Sequence, residues 1–117
     1  MRYSNGDLYE GSWRNDRKEG KGKLTNYEGI YEGLFLADLK DGEGAMNYSD
    51  GRKYYGTFKS NMKHGQGILI IQGAKYDGKF KMDKKDGKGV YTDRTGKYVG
   101  YFRNDVPHGK CYKRKSN

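Results

Sequence analysis

A motif that opens Tyr-x-Gly-x-(Trp/Phe) and closes on Gly-x-Gly recurs every 22 or 23 residues along this chain. A sequence patterned in this way folds as a row of like units, each needing its neighbours. The copies are Tyr9, Gly11, Trp13 with Gly20, Gly22; Tyr31, Gly33, Phe35 with Gly42, Gly44; Tyr54, Gly56, Phe58 with Gly65, Gly67; and Tyr76, Gly78, Phe80 with Gly87, Gly89. A fifth runs Tyr98, Gly100, Phe102, Gly109 and then departs, with Cys111 in place of the second glycine. Repeats thus start at 9, 31, 54, 76 and 98. Residues 3–8 read as the closing half of an earlier unit, residues 113–117 as a basic tail, and residues 1–117 together as a single array.

Period-2 alternation places each landmark set on one face of a strand: Tyr9, Gly11 and Trp13 alternate with Glu10, Ser12 and Arg14. The closing limbs alternate likewise, as in Gly65, Gly67, Leu69 and Ile71. Six residues, such as Arg14 to Glu19, separate the ring of the first limb from the first glycine of the second, so each repeat reads as a hairpin. Turn signals at Asn5-Gly6-Asp7, Asp50-Gly51 and Thr95-Gly96 link the hairpins. The expected fold is all-β, an antiparallel meander of about ten short strands. A helical repeat is excluded, because glycine recurs inside every unit and no apolar 3.6-residue period survives. The 19 glycines weaken strands by roughly 0.5 to 1 kcal/mol each relative to alanine. Each bare glycine is therefore expected to leave a slot over which a Tyr, Trp or Phe of an adjacent strand lies flat.

Composition sets limits on function. Hydrophobic residues make up 32% of the chain, too few for a thick core, yet 15% are aromatic, which disordered chains are not. No run approaches the roughly 18 apolar residues of a membrane span and the N-terminus has no apolar signal core, so a cytoplasmic location is expected. With Cys111 the only cysteine, no zinc-ligand spacing exists. His64 and His108 stand just before closing glycines, where other copies have Glu19, Asp41 and Asp86, and read as polar turn positions rather than a metal pair. The loop acids, Asp16, Asp38 and Asp83 among them, have no candidate nucleophile beside them for acid–base catalysis. No enzymatic activity, cofactor or metal is expected.

Charge is uneven: residues 1–58 carry 9 basic and 10 acidic side chains, residues 59–117 carry 15 and 5. Lys79, Lys81 and Lys88 should project from the face opposite the rings, with Lys84 and Lys85 in the hairpin loop between them. This cluster reads either as a solvated face or as a site for an anionic partner, an acidic lipid surface or an acidic protein. Nucleic acid is disfavoured, because base stacking needs exposed rings and these are committed to packing. Leu34, Leu36, Ile68, Ile70, Val99 and Tyr101 fall on the same opposite face as a candidate apolar interface, through which a partner or a second copy could dock as a homodimer.

The stretches Tyr9-Glu10-Gly11-Ser12-Trp13, Tyr31-Glu32-Gly33 and His64-Gly65-Gln66-Gly67 resemble the MORN repeat (membrane occupation and recognition nexus), and the resemblance runs over roughly residues 3 to 112. It implies an elongated, twisted, single-layer sheet with a groove lined by aromatics. It also implies a non-enzymatic module, since in the family's enzymes a separate domain carries the chemistry. The functions it suggests are a scaffold for a protein partner in a cytoskeletal or ciliary assembly, a peripheral module on anionic phospholipid, or a regulatory region of a larger enzyme such as a phosphatidylinositol phosphate kinase.

Overall fold

The computed structural model describes residues 6–115, without the side chains of 107–115. Ten strands run in chain order: β1 (Leu8–Arg14), β2 (Arg17–Asn26), β3 (Gly29–Leu36), β4 (Leu39–Tyr48), β5 (Lys53–Lys59), β6 (Met62–Ile71), β7 (Ala74–Lys81), β8 (Lys84–Asp93), β9 (Gly96–Arg103) and β10 (Val106–Lys115). Each pairs antiparallel with the next in one sheet of order β1 to β10. The molecule is a rod of 50 × 22 × 19 Å. This is the all-β meander read from the alternation.

Register explains the glycines better than the one-slot rule does. Gly11, Gly22, Gly33, Gly44, Gly56, Gly67, Gly78, Gly89 and Gly100 are successive cross-strand partners, so an unbroken line of glycines crosses the sheet from β1 to β9. The tyrosine two residues before each opening glycine lies across this line. A Cβ at Gly22 would collide with the Tyr9 ring, and one at Gly11 would strike the backbone of Lys21 and Gly22. The first closing glycine has a different task. Gly20 adopts φ 79° inside a bulge, where the pairing jumps from Gly11–Gly22 to Trp13–Lys18. Backbone conformation requires that glycine, and no ring covers it.

The bulge also orients the tyrosine. Ser12 falls in the jump and has no register partner in its own hairpin, and its carbonyl accepts a hydrogen bond from the Tyr9 hydroxyl at 2.7 Å. Tyr31, Tyr54 and Tyr76 donate in the same way to the carbonyls of Leu34, Thr57 and Lys79. A polar tip satisfied in this way lets the whole ring be buried.

The rings then form one ladder. Trp13, Tyr9, Phe35, Tyr31, Phe58, Tyr54, Phe80, Tyr76 and Phe102 contact edge to face in that order, with centroids 4.9–5.3 Å apart. Phe35, Phe58 and Phe80 each sit between the tyrosine of their own repeat and that of the preceding one, and Phe102 meets Tyr76 of the preceding one. Met46 and Leu69 complete the buried cluster, with Leu24, Tyr48, Tyr91 and Tyr98 packed against it. Trp13, expected in the core, is 41% exposed, and among the described residues Tyr9 is its one ring contact. Tyr98 is only half-buried, as befits the far end.

Every hairpin closes in a two-residue turn: Asn15-Asp16, Ala37-Asp38, Ser60-Asn61, Met82-Asp83 and Asn104-Asp105. All ten residues have φ between 49° and 71°, the type I′ geometry that matches strand twist. Non-glycine residues in this region cost about 1–2 kcal/mol each, least for Asn and Asp. The second turn residue recovers some of that cost by clasping the preceding hairpin. Asp38 donates its N–H to the Lys18 carbonyl (3.1 Å) and accepts the Lys18 N–H on its carboxylate (2.7 Å). Asn61 with Lys40, Asp83 with Lys63 and Asp105 with Lys85 repeat the pair.

Several local expectations need correction. Lys84 and Lys85 are not in the loop: the turn is only Met82-Asp83, and both lysines open β8. The expected tail is partly strand, since Lys113, Arg114 and Lys115 pair with Tyr98, Lys97 and Gly96, while Ser116 and Asn117 lie outside the described residues. Of the half-repeat 3–8, residues 3–5 lie outside the described residues and Leu8 belongs to β1. The single 23-residue step falls at the four-residue loop Ser49–Arg52, where the other inter-hairpin loops have two residues.

Replacing an interior ring removes two edge-to-face contacts and all of its burial, so Tyr54→Ala should cost about 3–5 kcal/mol. Trp13→Ala, at the exposed end, should cost well under half of that. Thermal melts followed by circular dichroism test the ranking, and equal shifts for the two variants would sink the ladder account.

Candidate interaction surface

Over most of its length the ring face is covered from above by the protein's own lysines. Lys18 stands 5.6 Å from the Tyr9 centroid, and Lys40 stands 5.5 Å from Tyr31 and 5.9 Å from Phe58. Lys63 stands over Tyr48 and Tyr54, and Lys85 over Tyr76 and Tyr91. Each is the lysine whose backbone is clasped by the next turn, so one residue serves both locks. Lys63 is only 8% exposed, with Nζ 3.2 Å from the Tyr48 hydroxyl and 3.6 Å from Asp83 Oδ1. Cation–π contacts of this kind contribute about 0.5–2 kcal/mol. The aromatic-lined groove implied by the resemblance is thus largely filled by the rings and their lysines, and stays open as a pocket among Lys85, Tyr91, Asp93, Tyr98, Phe102 and Asp105.

The reverse face is open. Glu10, Lys23, Glu32, Ala45, Tyr55, Ile68, Asp77, Val90 and Val99 are register partners in succession and form a row along the rod. A neighbouring row holds Lys21–Leu34, Glu43–Thr57, Gln66–Lys79 and Lys88–Tyr101. The glycine line runs between the two rows, and with no side chains standing on this side it leaves a shallow groove. Tyr55, Thr57, Ile68, Glu32, Glu43 and Asp77 line its middle stretch. The cross-strand register that assembles this row is not visible in the sequence, and Tyr55 and the acids were missed for that reason.

The lysines expected to act together separate. Lys79, Lys81, Lys84 and Lys88 are exposed, the first two alternating with buried Phe80. Lys85 is half-buried on the ring face, paired in register with Phe80 and clasped by Asp105. The expected apolar interface also divides. Leu34 and Leu36 lie on β3, Ile68 and Ile70 on β6, Val99 and Tyr101 on β9, so two strands, roughly 14 Å of sheet from centre to centre, separate one pair from the next. Ile70 is flanked by Lys53 and Lys75, and Asp77 follows Ile68 along the row. Of the acids at the hairpin ends, Asp16, Asp38 and Asp83 are in the turns, whereas Glu19, Asp41 and Asp86 lie on β2, β4 and β8. Glu19 and Asp41 accept hydrogen bonds from the Ala37 and Ser60 N–H groups, the first residues of the following turns, and His64 stands at the equivalent position of β6. The side chains of His108 and Cys111 lie outside those described. Among the described residues no group of three or more His, Cys, Asp or Glu could hold a metal, and no helix is long and apolar enough to cross a membrane.

A sequence model of the MORN repeat matches residues 9–29, 31–51, 54–71, 76–97 and 98–117. The chain belongs to the MORN-repeat family. It is also similar to Alsin from Rattus norvegicus and from Homo sapiens, 32% identical to each over 75 residues, 59% of this chain. The chain spans only 4% of the length of these relatives. MORN repeats are generally modules for protein or membrane interaction.

Burial gives this MORN array a pH signature. It pushes the Tyr31 and Tyr76 phenols up to about 12, with Asp41 and Asp86 adding to the effect, and raises Tyr54 as well. Burial lowers the Lys40 ammonium, where Asn61 replaces the aspartate found in the other clasps. Folded-state pKa values above the unfolded value near 10 mean that the native state keeps protons the unfolded chain releases. The tyrosines' contribution is therefore complete below about pH 10 and is lost as pH rises toward 12. Lys40 acts in the opposite sense below 10.5, one group against three. Unfolding free energy from denaturant titrations should hold level from pH 7 to 9 and fall above about 10, and Tyr54→Phe should flatten the fall. A level profile to pH 11 would contradict the burial of the phenols.

Proposed function

We propose that this MORN array is a non-enzymatic, rigid platform that holds a protein partner on its reverse face. The observation that carries this reading is the contrast between the two faces. Over most of its length the ring side is covered by the protein's own lysines and aromatics, with a pocket among Lys85, Tyr91, Tyr98 and Phe102 at β8 and β9, while the reverse side keeps an open groove with a mixed lining of Tyr55, Ile68, Glu32, Glu43 and Asp77. Such a lining of an exposed aromatic, an aliphatic and spaced charges suits protein recognition. The Alsin relatives, in which the matching stretch is a small part of a long chain, support a role as one module among others. A cytoplasmic setting, cytoskeletal or ciliary assemblies included, accords with this reading.

A second reading rests on Lys79, Lys81, Lys84 and Lys88, exposed in one half of the rod. Acidic headgroups attract each such lysine by about 1 kcal/mol, so a peripheral membrane role fits them. A regulatory position within a larger enzyme is compatible with either reading.

A photo-crosslinking residue placed at Thr57, on the reverse face, should give discrete protein adducts in cell extract, and one at Lys40, on the ring face, should not. Adducts from Lys40 alone would overturn the platform reading. Co-sedimentation with acidic and neutral vesicles separates the second reading: equal retention on both removes it.

A further inference from the structure

The five turns lie along one long edge of the rod, and the residue pairs that close them form a row there: Arg14–Arg17, Leu36–Leu39, Lys59–Met62, Lys81–Lys84 and Arg103–Val106. The next pair inward in each hairpin contains the ring-face aromatic, as in Phe35–Lys40 and Phe58–Lys63, so the closing pairs stand on the reverse side. These ten positions hold six cations, four apolar side chains and no acid, in a chain with 15 acids. Acids stand in the turns themselves, where Asp16, Asp38, Asp83 and Asp105 are exposed, but most of them are engaged by the protein's own backbone and lysines. Asp38, Asp83 and Asp105 accept the clasp hydrogen bonds, and Glu19 and Asp41 hold the N–H groups of neighbouring turns. The row of closing pairs on the reverse side of the turns thus shows positive charge with apolar points between, Leu36 at 52% and Val106 at 60% exposure among them.

Met82 is a separate sign. It occupies the first position of its turn at φ 51°, where the first and last turns use Asn15 and Asn104. Asparagine suits that left-handed conformation, whereas methionine gains nothing from it and here leaves 59% of its surface in water. A flexible thioether held out at a conformational disadvantage serves contact with something else.

We propose that the turn edge docks an acidic amphipathic helix of a protein partner. Successive turns are two strands apart, about 9.6 Å at ~4.8 Å per strand. A helix returns to nearly the same face every seven residues, about 10.5 Å. An extended peptide repeats its face every two residues, ~6.6 Å, and falls out of step with the turns. The five turns span about 40 Å, a helix of roughly 26 residues. Its apolar stripe meets Leu36, Leu39, Met82 and Val106, and flanking Asp and Glu meet Lys59, Lys81, Lys84 and Arg103. The charged rim speeds encounter and fixes register.

This inference rests on the protein-platform reading and narrows it. The test uses the 117-residue chain and a fluorescein-labelled peptide of roughly 26 residues, with leucines at helical seven-residue spacing and flanking glutamates, against a scrambled peptide of the same composition. The helical peptide should bind at least tenfold more tightly by anisotropy. Lys81→Glu with Lys84→Glu should weaken it at least tenfold. Met82→Asn should weaken it severalfold while raising Tm, an outcome that loss of fold cannot mimic. Lys75→Glu, on the opposite long edge, should change neither. Equal binding of the scrambled peptide, or full binding by Met82→Asn, overturns the proposal. Retention on acidic vesicles without peptide binding overturns it too and assigns the edge to a membrane. A crosslinker at Leu39 that gives no adduct, where one at Thr57 does, removes the edge site but keeps the platform.

Discussion

A phenol ring lying across a pair of bare glycines is the contact on which the rest of this protein depends. With no side chain on Gly22, Gly44, Gly67 or Gly89, the tyrosine two residues before the facing glycine can lie against the backbone itself. Its hydroxyl donates to the carbonyl of the residue at the bulge, three positions on. The ring is then placed to receive phenylalanines on two edges, and the lysine above it is held by the next turn. A chain with only 32% hydrophobic residues can fold on these terms because each ring is used several times over. Any side chain on the glycine line would lift the ring and break the sequence of contacts at its first member.

The same economy divides the molecule into an inside and an outside without a second layer. On the ring face the repeats are alike, and lysine stems take the place of a covering sheet. On the reverse face they differ: the row from Glu10 to Val99 begins charged, passes through Tyr55, and ends in Ile68, Val90 and Val99 broken by Asp77. Positions that must be identical build the rod, and positions free to vary give it an address.

Period-2 alternation and the recurrence of Tyr, Gly and Phe made the meander and the ring face legible from the sequence. What lay beyond was set by register, which alternation alone does not contain. The hairpin turns carry no Asn-Gly or Asp-Gly signal, because Asp or Asn in the second position is retained for the clasp, so Lys85 was placed in a loop when it stands over Tyr76. The bulge at Gly20 and its equivalents gave those glycines a backbone role that looked like packing. Leu34, Ile68 and Val99 share a face but sit three strands apart from one another, so alternation correctly named the face and said nothing of distance.

The clasp has a direction. Asp38 completes the hairpin before it, as Asn61, Asp83 and Asp105 do in their turn, and Phe35, Phe58, Phe80 and Phe102 likewise cover the tyrosine of the earlier repeat. Each of the first four units is therefore finished by its successor. On the ribosome, where the N-terminal hairpin emerges first, each new hairpin must wait for about 22 further residues before its tyrosine is covered and its lysine is held, so the array matures one repeat behind its own synthesis.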